Sequence, residues 1–166
     1  AFGKIDILVN NAGIVFDVPF FERTVEQWKR TLEVDLIGVF LVSKHVSKHM
    51  LKQKSGRIIN ISSTNGINSC PPTSIDYNAA KAGVIVATKS MAMELAPHIN
   101  VNSIAPGWID TDMNADLPKD YVKSETERIS LKRFAHPKEI ANVVIFLASD
   151  DASYVNGTTI MDDGGY

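Results

Sequence analysis

A single cysteine, Cys70, excludes any intrachain disulfide. Stability therefore has to come from a packed core, and a reducing compartment is the expectation. Long apolar runs are missing too: none approaches the about 20 residues a helix needs to span a bilayer. No charged-then-apolar leader precedes the first strand. Charge of one sign is also lacking. Lysine and arginine number 17 against 19 aspartate and glutamate, a formal net charge of -2, which supplies no field to gather nucleic acid or an anionic membrane. The one basic cluster, Lys44, Lys48, Lys52, Lys54 and Arg57, has the spacing of a solvated helix face and its exit. His45, His49, His98 and His136 show no ligand spacing with Cys70 or, beyond the chance pair His45 and His49, with each other. No metal, nucleic-acid or membrane partner is expected, and the chain reads as cytoplasmic.

What is present suits a single domain. The 166 residues, 45% hydrophobic and 22% charged, are enough to bury a sizeable core. Residues 5–9 read as an apolar strand leading into Asn10-Asn11-Ala12-Gly13. Thr24, with Gln27 three positions on, is a helix N-cap signature. Apolar residues then recur at helical spacing from Trp28 to Met50, predicting one long helix over 24–53 with Gly56 as its stop. Residues 57–61 predict a second strand, 77–95 a helix capped by Ser74 or Asp76, and 99–104 a third strand halted by Pro106-Gly107. A polar stretch, 112–133, is weakly helical. A helix from Pro137 and a short strand at 158–161, entered by the turn Asn156-Gly157, complete the order.

Strand and helix alternate, which is the pattern of a parallel α/β sheet with right-handed crossovers. Ligands in such sheets bind beyond the carboxyl ends of the strands. Asn10–Gly13, Ser62-Ser63 and the segment 106–111 all fall there, and the helix carrying Tyr77 starts on the same side. Tyr77 and Lys81 are four apart and share one helix face. A phenol and an ammonium side by side, facing two hydroxyls at a strand end, make a proton-transfer constellation.

Three segments together carry a family resemblance: Asn10-Asn11-Ala12-Gly13, Ser63 with Tyr77-x-x-x-Lys81, and Pro106-Gly107-x-x-x-Thr111. The chain resembles the short-chain dehydrogenase/reductase family over essentially its whole length. Within the family it is most similar to the 3-oxoacyl-(acyl carrier protein) reductases, and next to sugar, polyol and secondary-alcohol dehydrogenases. The resemblance implies reduction of a small-molecule or acyl-carrier-bound carbonyl by hydride transfer from NADP or NAD, with NADP favoured. Tyr77 would donate the proton, and Lys81 would lower the phenol's pKa and bind the nicotinamide ribose. Ser63 would hold the substrate oxygen; it is preferred to Ser62 because the family's serine lies three before a glycine, here Gly66. Asn11, Ala12 and Gly13 would line the cofactor cleft, while Pro106, Gly107, Ile109 and Thr111 would fix the nicotinamide end. A homodimer or homotetramer is implied, packed through the two long helices with Gly83 allowing close approach.

Two departures from the family pattern stand out. Asp35 occupies a position where the family usually has a catalytic asparagine, so reduced activity is expected. The family's glycine-rich phosphate turn has no counterpart, and the first strand here corresponds to the family's fourth. The expected fold is therefore the C-terminal part of a Rossmann-type doubly wound parallel sheet, missing its first strands, in one partial domain over 1–166. Its first strand would be an apolar edge. A start at Ala1 suits a piece of a longer reductase, which alone would bind dinucleotide poorly. The alternative is a catalytically silent oligomer partner.

Overall fold

A computed structural model describes residues 3–166. Its sheet has four strands, β1 (Ile7–Asn10), β2 (Gly56–Ile61), β3 (Ile99–Pro106) and β4 (Thr159–Asp162), in the order β1-β2-β3-β4 with every pair parallel. Helices α1 (Val25–Leu32) and α2 (Gly38–Gln53) follow β1. Helix α3 (Ile75–Leu95) follows β2, and α4 (Lys119–Arg128) and α5 (Pro137–Ala148) follow β3. Consecutive isoleucines in β2 explain the layering. Ile58 packs with Met50, Ala92, Ile99 and Val101 on one face. Ile59 packs with Ile104, Ile140 and Leu147 on the other. Both faces of β2 are covered, as a central parallel strand requires, and each fully buried isoleucine contributes about 1.5–3 kcal/mol. No helix among the described residues is long and apolar enough to cross a membrane.

The expected start of the first helix holds: Thr24 and Gln27 form a reciprocal capping box. Its run to Gln53 holds as one continuous helix, but not as a uniform α-helix. Between α1 and α2 the backbone opens into one π-helical turn, Glu33–Ile37, with Asp35 buried inside it. Such turns insert a residue into an α-helix and are frequent at functional sites. The stop also differs, since Lys54 takes the left-handed conformation at φ 56°. Gly56 instead opens β2, where a Cβ would lie 2.4 Å from the Met50 sulfur.

Neither proposed cap of α3 serves as one. Ser74 occupies the cap position but its hydroxyl bonds to Asp17, and Asp76 is drawn inward by Arg23 and Thr31. Gly83 serves packing within the chain: its missing Cβ makes room for Leu36, 2.9 Å from where that atom would sit. The edge expectation holds: β1 pairs with β2 alone among the described strands, and Ile7 and Val9 are about half exposed at 48% and 40%.

Candidate active site

At the carboxyl end of β2 the two serines part ways. The Ser62 hydroxyl is buried and donates to the Lys81 carbonyl (2.9 Å), tying the strand end to α3. The Ser63 hydroxyl accepts from the Asn65 amide (3.1 Å) and faces a cavity. Gly66 sets this arrangement, since a Cβ there would lie 2.6 Å from the Ala82 nitrogen. Only glycine lets the turn Thr64–Gly66 lie directly on the α3 backbone, which brings Ser63 up to Tyr77.

Lys81 reaches from α3 to the end of β2. Its ammonium donates to the Ile61 carbonyl (3.1 Å), sits 5.3 Å from the Tyr77 ring centroid and pairs with Asp35 at 3.4 Å. Both side chains of the pair are buried, 4% and 0% exposed. The Asp35 Oδ1 accepts the Ile14 amide (2.9 Å), while its Oδ2 has no hydrogen-bond donor. Gly13 closes over the pair: a Cβ would sit 3.0 Å from Asp35 Oδ2 and 3.3 Å from Lys81 Nζ. The sequence pattern shows this glycine, but not that its reason is a charge pair behind it.

Burial dominates the protonation of all three groups. It raises the Asp35 carboxyl, against the pull of Lys81 and the Ile14 amide. It lowers the Lys81 ammonium, with Asp35 resisting. It pushes the Tyr77 phenol up to about 12; the Ser63 hydroxyl pulls it back and Asp35 pushes it further. The expectation that Lys81 lowers the Tyr77 phenol is thus corrected. Burial outweighs any pull from the ammonium, and the Asp35 carboxylate paired with it acts in the opposite sense.

A cavity of about 790 Å³ opens above these groups. Ser63, Tyr77 and Lys81 form its floor with Asn11, Ala12 and Gly13. Pro106, Gly107, Ile109 and Thr111, at and beyond the end of β3, line it as well. Asp35 is the one predicted site residue outside the lining; it lies behind Gly13, against Lys81. Gly107 is needed where β3 meets β4, since a Cβ would approach the Asp163 Cα to 2.9 Å. Among the described residues no cluster of three or more metal-ligating side chains occurs.

Sequence reasoning missed the groups that hold this floor. Asn10 donates to Ser43 (2.9 Å) and Asn60 (2.8 Å), and Asn60 to Thr88 (2.9 Å), pinning β1, β2, α2 and α3 beneath it. Arg23 donates to Asp76 (2.9 Å), one residue before Tyr77, and to the carbonyls of Phe16, Val18 and Thr73. No sequence signal pairs these residues, which stand 53 positions apart in the Arg23–Asp76 contact. Trp108, Tyr121 and Asn65, also unpredicted, line the cavity.

Comparison with known proteins places this geometry. A family profile described as enoyl-(acyl carrier protein) reductase matches residues 1–166. The 3-oxoacyl-[acyl-carrier-protein] reductase FabG of Thermotoga maritima is 47% identical over 165 residues, covering 99% of this chain and 67% of the relative. Its Aquifex aeolicus counterpart is 47% identical over 162 residues, covering 97% and 65%. A solved gluconate 5-dehydrogenase from Burkholderia cenocepacia, in complex with NADP and tartrate, superposes with a TM-score of 0.95 at 36% identity, covering 99% of this chain and 65% of that one. The chain thus spans about two thirds of the length of the relatives it matches. With a match to the family profile from the first residue to the last, and with the parallel sheet shared with these dehydrogenases, the chain belongs to the short-chain dehydrogenase/reductase family.

Proposed function

We propose that this chain carries the acid/base half of an NADP-dependent carbonyl reductase site, and that the substrate carbonyl belongs to a 3-oxoacyl thioester. The observation that carries the reading is the meeting of Ser63, Tyr77 and Lys81 in one cavity that the segment 106–111 also lines. Tyr77, raised to about 12, is protonated at neutral pH, the state a proton donor to a developing alkoxide needs. Ser63 donates a hydrogen bond to the same oxygen.

The floor fits the nicotinamide riboside end of the cofactor. An ammonium has three N–H donors; the Ile61 carbonyl takes one of the Lys81 set, and Asp35 balances the charge from 3.4 Å without accepting a hydrogen bond from it, which leaves donors for a ribose hydroxyl. Ala12 and Gly13 add little bulk to the floor. The 166 residues contain no glycine-rich turn before a helix to hold a pyrophosphate. When bound, the reduced nicotinamide supplies the hydride; Tyr77 supplies the proton that completes the alcohol and is reprotonated from solvent.

The thioester is favoured because the acyl-carrier reductases are 47% identical to this chain, against 36% for the gluconate dehydrogenase. A polyol or sugar-acid substrate is the second reading, supported by the structural likeness of that NADP and tartrate complex. The reading includes a homo-oligomer, supported by apolar side chains left exposed on α2 and α3, among them Phe40, Leu41, Val86 and Met93.

The test is NADPH oxidation by the protein expressed from its complete gene, with acetoacetyl-CoA and with a keto-gluconate. Turnover of the thioester, lost by about 10²–10⁴-fold in Tyr77→Phe, is expected. Preference for the keto sugar acid would move the assignment to the second reading. NADPH oxidation with neither substrate would favour the silent oligomer partner.

A further inference from the structure

Away from the proton-transfer floor, one carboxylate gathers three segments of the outer cavity. Glu125 is buried on α4, a helix that is otherwise mostly exposed. It accepts from the Trp108 indole N–H (3.0 Å), from the Tyr166 hydroxyl, and from both contacts of Arg128 (2.9 and 3.1 Å). Arg128 in turn lies 4.6 Å over the Tyr166 ring. Burial pushes the Glu125 carboxyl upward, yet the hydrogen bonds from Tyr166, Arg128 and Trp108 outweigh it and hold the group below its ordinary value. It is an ionised acceptor with its donors in place.

What it holds is an aromatic wall. Trp108 stacks on Phe134 at 5.4 Å between centroids and meets the edge of Tyr121 at 5.9 Å. Trp108 and Tyr121 line the cavity together with Met113, Leu117 and Pro118. Asp112 and Asn114 also line this side, so its apolar surface is the patch of Trp108, Met113, Leu117, Pro118 and Tyr121, whereas Ser63, Thr73 and Ser74 bring only hydroxyls to theirs. An indole stacked on one face still slides and tips in its plane; an N–H bonded to a fixed carboxylate does not.

We propose that Glu125 is the positioning residue of the substrate pocket, fixing Trp108 and α4 so that the outer wall accepts an apolar chain attached to the reacting carbonyl. The inference rests on the reductase reading above and deepens it: the substrate class is a 3-oxo compound with an alkyl chain of several carbons rather than a compact polyol. Glu125 touches no reacting atom, so its removal should act through binding of the chain and leave the chemical step alone.

The experiment compares acetoacetyl-CoA with 3-oxooctanoyl-CoA in the protein from the complete gene, as wild type, Glu125→Ala, Glu125→Gln and Trp108→Phe. Wild type should show the lower KM for the longer chain. Glu125→Ala should raise KM for the longer chain about tenfold, the scale of a misfitted apolar pocket, with kcat on acetoacetyl-CoA held. Glu125→Gln, which keeps an acceptor for the indole, should recover most of the loss. Trp108→Phe keeps a ring and removes the donor, so it should reproduce the KM change without unlatching Arg128 or Tyr166.

Equal KM for both chain lengths in wild type, or a fall in kcat shared by both substrates in every variant, would overturn the positioning role while leaving the reductase reading standing. Failure of wild type to turn over either thioester would overturn the thioester assignment, and this inference with it.

Discussion

Two buried ion pairs flank Tyr77, and they are built differently. Arg23 and Asp76 meet at 2.9 Å. Three carbonyls take further guanidinium donors, and Thr31 donates to the same carboxylate oxygen (2.7 Å). Asp35 and Lys81 stand 3.4 Å apart, with one carbonyl on the ammonium and one amide on the carboxylate. The first pair locks the Phe16–Val18 and Thr73 segments to the start of α3. The second is held loosely against a cavity, with a glycine in place of any covering side chain. A planar fork that binds several acceptors suits a fixed joint, and a lysine whose pKa shifts readily suits a proton site. The difference teaches where this molecule spends rigidity and where it keeps an ionisable group free to respond.

The largest expected effect is on the fixed joint. Asp76→Ala leaves the Arg23 guanidinium buried without its counter-charge, which costs about 3–5 kcal/mol; thermal or denaturant unfolding measures it. A loss below 1 kcal/mol would erase the contrast between the pairs. Gly13→Ala comes next. Its methyl must displace Asp35 or Lys81, at about 1–3 kcal/mol of overpacking, and NADPH affinity should fall along with stability.

Asp35→Asn sharpens the comparison through pH. The Asp35 charge raises both the Tyr77 phenol and the Lys81 ammonium. Neutralising it lowers both, so the alkaline limb of the kcat/KM profile should move to lower pH. An unmoved limb shows that Asp35 is not coupled to the site. The smallest effect belongs to Ser62→Ala, about 1 kcal/mol of stability for one lost hydrogen bond. Ser63→Ala should instead lower kcat, by up to about 10²–10³-fold if its hydroxyl serves the developing oxyanion.

Much of this was legible in the chain itself. Element order, the parallel sheet, the Thr24 cap and the convergence of three segments on one edge follow from periodicity and turn residues, which act over a few positions. Ser63 was preferred to Ser62 only through the family resemblance, whose serine lies three before a glycine. The π-helical turn at Asp35 was not legible, because residues 28–50 keep a helical apolar pattern straight through it. Nor was the role of Gly83, since a glycine records that something approaches but not what.

The order of strands and helices, the family and the residue types at the site were determined by the sequence alone, because local patterning and fixed spacings encode them. Tertiary structure decided the rest. It brought Asp35 to Lys81 across 46 positions, Arg23 to Asp76 across 53 and Tyr166 to Glu125 across 41. It also reversed the expected shift of the Tyr77 phenol. Pairing over such separations and the removal of water from charged groups exist only once the chain has packed, and no local pattern carries them.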